Sequence, residues 1–240
     1  MGLVVLASNA DDSPAAIRHG REALRLISSA SKGSSEMQDR LRFVVALHGA
    51  SDEAGRDGAR RDFAATKKSY LERHAQRSAE VFNCSIYEIM LLYRCEDEQC
   101  VELVRELCEA EKADGHCDDT RIIDVELAAA TCFRAFGRVE EARQVLEEIL
   151  MKSRGQDDES RSSRSSALFQ LAGIYARQGN REDAEQSYRE TIELSEAIRG
   201  ADDPRTIIRR RELEAYQNGK LPSFAPKDSP WTVVLSYGDE

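Results

Sequence analysis

Apolar residues return every three to four positions along most of this chain, and polar stretches rich in Gly, Ser and Asp interrupt them. Leu168, Leu171 and Tyr175 share one helical face, and Tyr188, Ile192 and Leu194 share another. Between the two runs stand Gly179 and Asn180, residues that adopt positive φ and stop a helix. Glu182 and Asp183 open the next run, where a helix dipole favours negative charge. Ala184 is small, as two closely packed helices require. The pattern predicts a helix, a tight turn and a second helix. The same periodicity predicts helices over 15–28, 36–47, 58–73, 79–93, 101–112 and 207–216, and residues 1–10 read as the end of another. Residues 29–35, 49–56, 113–119 and 153–165 read as loops or connectors.

The hairpin occurs more than once. Ala129-Ala-Thr-Cys-Phe133-Arg-Ala-Phe-Gly137-Arg-Val-Glu-Glu-Ala142 aligns with Leu171-Ala-Gly-Ile-Tyr175-Ala-Arg-Gln-Gly179-Asn-Arg-Glu-Asp-Ala184, 42 residues further on. Stepping back from Ala184 by the same interval reaches Ala142, Cys100, Gly58 and Ala16, all small. The repeat is strong over 120–206, weaker over 80–117 and degenerate earlier. Glu214-Ala-Tyr-Gln-Asn-Gly219 repeats the end of a first helix, so 207–216 reads as a solitary terminal helix. Its Arg209-Arg-Arg211 suits an outer, solvated cap. Three segments follow: degenerate helical repeats over 1–79, better repeats with a capping helix over 80–219, and a Pro-containing tail over 220–240. In that tail Trp231-Thr-Val-Val-Leu-Ser-Tyr237 is expected to dock back on the repeats.

The stretch from Leu168 to Leu194 resembles the tetratricopeptide (TPR) family, most closely the long, 42-residue form of kinesin light chains. The connector Arg199-Gly-Ala-Asp-Asp-Pro204-Arg-Thr206 resembles the Gly-x-x-His-Pro linker of that form, with Asp203 in place of His. The resemblance implies an all-α fold, an antiparallel helix-pair α-solenoid of about four to five units. It also implies a non-catalytic protein–protein interaction scaffold or adaptor that binds a peptide or helix of a partner in a concave groove. In the family the first helix of each pair lines that groove. Carried over by position, this nominates Leu127, Thr131 and Arg134 in one repeat, and Phe169, Gln170, Gly173 and Arg177 in the next. The chaperone-tail clamp of some members uses Lys and Asn where Phe169 and Gly173 stand, so that partner is not implied.

Charge narrows the function further. Among 240 residues the formal net charge is −10, the reverse of a nucleic-acid footprint. No run of 18 apolar residues predicts a membrane span. Residues 3–7 are too short and lack the basic flank of a signal-peptide core. Leu6 stands where myristoylation of Gly2 would need Ser or Thr. A cytoplasmic location is expected. An array that opens part-way through a repeat is also what a piece of a longer protein would show.

Two constellations could carry chemistry. Cys84, Cys95, Cys100, Cys108, Cys117 and Cys132 cluster with His116, but no Cys-x-x-Cys occurs and the spacings suit no shared metal. Reduced thiols, with no metal and no cofactor, are expected. Arg18-His19-Gly20 resembles the histidine-phosphatase signature, and Phe43-Val-Val-Ala-Leu-His48-Gly49 resembles the strand-then-His-Gly of several hydrolases. His19, however, falls inside a helical pattern, and no Gly-x-Ser-x-Gly turn, P-loop or dinucleotide fingerprint exists. A small hydrolase or phosphatase using His19 or His48 is the alternative from another class, and it requires a parallel strand near 43–47. A self-assembly module of a larger sensor protein is a third.

Overall fold

The computed structural model describes residues 56–73, 79–113 and 119–224, with helical positions at 21–22, 25, 38–39, 42–43 and 45–46. Among the described residues the fold is all-α, with no strand. Its continuous helices are α1 (Arg56–Arg73), α2 (Ala79–Arg94), α3 (Gln99–Ala113), α4 (Asp119–Ala135), α5 (Val139–Lys152), α6 (Asp158–Gln178), α7 (Arg181–Arg199) and α8 (Pro204–Gln217). Two compact units result, one within residues 1–100 and the other within 101–232. Phe43, Val45 and Ala46 are helical. They are not the parallel strand that the hydrolase alternative requires. His19, His48, His116, Cys117 and the Trp231 segment lie outside the described residues.

In the first unit α1 packs along α2. Ala59, Phe63, Thr66 and Tyr70 are buried at helical spacing. Phe43, Phe63 and Tyr87 form an aromatic trio with ring centroids 5.2 to 6.0 Å apart. Beside it the buried Asp39 accepts from Ser69 Oγ at 2.6 Å and from Arg42 at 3.2 Å.

In the second unit the helices stack in series. α4 pairs with α5 and α6 with α7, while α5 and α4 both pack on α6, and α8 covers α7. Ala142 and Ala184 are fully buried, the close approach that their size allows. Because α6 has neighbours on several sides, Ala167, Leu168, Leu171, Ala172, Ile174 and Ala176 are all buried.

Four helix ends stop by the same local device. A residue one or two past the helix takes a left-handed conformation, and the next N–H reaches back five residues. These pairs are Arg138 to Phe133 (2.8 Å), Asn180 to Tyr175 (3.0 Å) and Lys220 to Ala215 (2.9 Å), past Gly137, Gly179 and Gly219. Asp97 does the same to Leu92 at 2.9 Å, past Glu96 with φ 55°. The left-handed residues that close this way are 96, 137, 179 and 219, at intervals of 41, 42 and 40, while Gly200, also at positive φ, ends α7 without that bond. Ala142 and Ala184 lie five residues beyond theirs. The same count from Glu96 reaches Val101, so the constant 42-residue step to Cys100 is one residue short.

Two more expectations need revision. The connector over 153–165 is largely helix, because α6 starts at Asp158. Asp157 caps it by accepting from Ser160 N–H at 2.8 Å. Its serines are packing residues: Ser165 Oγ donates to the Thr191 carbonyl at 3.1 Å, and Thr191 Oγ1 returns a bond to the Ser165 carbonyl at 3.3 Å. Arg209 is buried on the α7 face of α8, not solvated. Its Nη1 donates to Ser195 Oγ at 2.6 Å, beside the Ser195–Thr206 hydroxyl pair. At the start of α8, Asp203 accepts from Arg205 N–H at 2.9 Å and Pro204 occupies the first turn.

Candidate functional site

The seven nominated residues fall into three groups. Leu127, Thr131 and Gln170 tie α4 to α6. Gln170 Nε2 donates to the Leu127 carbonyl at 3.2 Å, and Thr131 Oγ1 lies 2.9 Å from that carbonyl and 3.2 Å from Gln170 Oε1. Their polar atoms are spent on holding two helices in register. Phe169 packs edge-on against Tyr188, with centroids 6.0 Å apart, and the Arg209 guanidinium lies 5.8 Å from its ring. It belongs to the packing among α6, α7 and α8. Burial there pushes the Tyr188 phenol up, with the nearby Glu212 charge adding to the effect.

Arg134, Gly173 and Arg177 come together around a residue that was not nominated. After α8 the chain runs back, and Phe224 is 8% exposed. The Arg134 Cζ stands 4.4 Å from the Phe224 ring centroid and the Arg177 Cζ 4.8 Å from it. Both lie within the range at which a guanidinium is attracted to a ring face. Arg177 Nη1 also donates to the Pro222 carbonyl at 3.1 Å. Gly173 forms the floor: a β-carbon there would stand 3.2 Å from Phe224 Cε1 and 3.3 Å from Arg134 Nη1. Meanwhile Leu221, the other large apolar residue of the segment, is 55% exposed. The site takes the ring and leaves the aliphatic side chain in water.

One signal in the sequence pointed to this site. A glycine inside a helix costs about 0.5–1 kcal/mol relative to alanine, so Gly173 in the middle of α6 requires a reason. The reason is the close approach of Phe224.

A separate buried charge sits on α4. Glu126 is fully buried, and its Oε1 accepts from Lys112 at 2.9 Å and from Lys152 at 2.7 Å, joining α3, α4 and α5. Cys108 lies in this neighbourhood, and burial pushes its thiol up to about 12. Among the described residues no group of three or more His, Cys, Asp or Glu side chains is placed to hold a metal ion. No helix among them is long and apolar enough to cross a membrane.

Residues 166–205 match the family model for a tetratricopeptide repeat, covering the end of α6's first turns through the start of α8. The match covers 40 of the 240 residues, about the length of one repeat. No curated protein and no solved structure matches the chain.

Proposed function

We propose that this protein is a non-catalytic interaction scaffold that holds an extended peptide of a protein partner along the faces of α4 and α6. One observation carries the reading. A non-helical piece of polypeptide, residues 221–224, already lies against these helices, held through a backbone carbonyl by Arg177 and through a side chain by Arg134 and Arg177. A guanidinium that binds a carbonyl recognises any extended chain, and a ring slot adds selectivity. The tetratricopeptide match at 166–205 supports the same class of function.

The test is partner capture from the native cell with cross-linking and mass spectrometry, using the wild-type chain and Arg134→Glu/Arg177→Glu. The double variant is expected to keep its helical circular dichroism and lose the partners that the wild type captures. Equal capture by both would overturn the groove.

A further inference from the structure

We infer that Arg134, Gly173 and Arg177 form a subsite for an aromatic side chain, and that the chain's own residues 222–224 occupy it as a resident competitor. The ligand class is an extended peptide that places a Phe-like ring two residues after a free backbone carbonyl. This rests on the groove reading and adds to it the chemistry that is recognised and the means by which access is controlled.

Three features make the contact selective for a ring. Two guanidinium groups lie within 5 Å of the Phe224 centroid, and a flat π face attracts cations where an aliphatic chain does not. The floor is a glycine whose missing β-carbon leaves room for the ring edge. Three residues earlier, Leu221 is left in solvent although it has comparable apolar bulk. The carbonyl contact then fixes the spacing, because Arg177 engages both Pro222 and Phe224.

The occupant is tethered. Only the turn at Gly219 and four further residues separate α8 from Phe224. A short tether gives an effective concentration on the order of millimolar, so a weak internal contact competes well with a free peptide. A partner's apparent affinity is reduced by the fraction of time the site is open. Removing the internal ring abolishes that reduction.

The probe is a fluorescein-labelled peptide copying residues 219–226, Gly-Lys-Leu-Pro-Ser-Phe-Ala-Pro, titrated by anisotropy with the full 240-residue chain. Phe224→Ala is expected to bind it about tenfold more tightly than wild type, as it would if the site were open about one-tenth of the time. A control peptide with Ala in place of Phe is expected not to bind, and neither is Phe224→Ala combined with Arg134→Glu/Arg177→Glu. Phe224→Leu keeps apolar bulk but has no ring face, and it is expected to fall between wild type and Phe224→Ala. It serves as the second measurement if the alanine variant unfolds. Equal binding by wild type and both Phe224 variants would overturn the inference, as would binding of the control peptide or no binding at all. If the peptide fails to bind but charge reversal still removes captured partners, the aromatic subsite falls and the groove stands. If the peptide binds as expected but charge reversal leaves capture intact, the subsite stands and its role in partner capture falls.

Discussion

Gly173 and Phe224 approach so closely that a β-carbon on the first would stand 3.2 Å from Cε1 of the second. Helix propensity and site shape therefore pull in opposite directions at position 173. Gly173→Ala relieves a mid-helix glycine, worth about 0.5–1 kcal/mol, while it narrows the ring slot. The variant is expected to melt no lower than wild type. In the Phe224→Ala background it is expected to weaken binding of the 219–226 peptide severalfold, and Gly173→Leu to abolish it. Thermal melts and anisotropy titrations on the same samples separate the two effects.

Glu96 holds the left-handed conformation that glycine holds at the other three turns. For a side chain with a β-carbon this conformation costs about 1–2 kcal/mol, and the greater freedom of glycine in the unfolded chain returns part of it. Glu96→Gly is expected to raise unfolding stability by about 0.5–1 kcal/mol, measured by urea denaturation. A loss of stability would show that the Glu96 side chain contributes more than its backbone costs.

The Glu126 cluster is asymmetric. Glu126 is 1% exposed, whereas Lys112 and Lys152 are 46% and 44% exposed. Removing both lysines leaves a buried carboxylate without a cation, a loss of about 3–5 kcal/mol. Removing the acid by Glu126→Gln leaves two lysines that can turn to water, so about 1 kcal/mol is expected. Lys112→Ala/Lys152→Ala should therefore denature at lower urea than Glu126→Gln, and the opposite order would refute the argument.

Cys108 is half-buried and its thiol is pushed up to about 12, whereas Cys95 is exposed in the turn after α2. Since the thiolate is the reactive form, burial leaves Cys108 almost wholly in the unreactive thiol form at pH 8. Iodoacetamide at that pH is expected to modify Cys95 in minutes and to leave Cys108 intact until the protein is denatured. Peptide mapping by mass spectrometry reads both sites.

Asp157 gives the acid side of stability a defined sign. Its bonds to the Ser160 backbone N–H and hydroxyl hold its carboxyl below the ordinary 3.8. The folded state favours the charged form, so the contribution is complete above 3.8 and is lost as pH falls below it. Asp157→Ala is expected to melt below wild type at pH 7, with the gap narrowing as pH falls below 3.8.

Much of the helical architecture was legible in the sequence because its signals are local. Gly137, Gly179 and Gly219 mark turns by a conformation that few other residues adopt, and the apolar stripes between them mark helices. The equivalent turn at Glu96 carries no such mark, which is why a fixed 42-residue step reached Cys100 instead of Val101. Serines misled for the opposite reason. Ser163 and Ser165 read as a connector by composition, yet both are buried in α6, and the Ser165 hydroxyl bonds to the Thr191 backbone. At the candidate site Arg134, Gly173 and Arg177 followed from repeat position alone. Phe224 did not, since it lies past the last helix, where periodicity ends, and only the glycine opposite it hinted at a partner.

The turns at 96, 137, 179 and 219 each close with backbone bonds to the helix that precedes them, while the spacing between them varies. Length can therefore drift at the joints without disturbing the hinges. A residue gained or lost between units would shift the count while every bend kept its form.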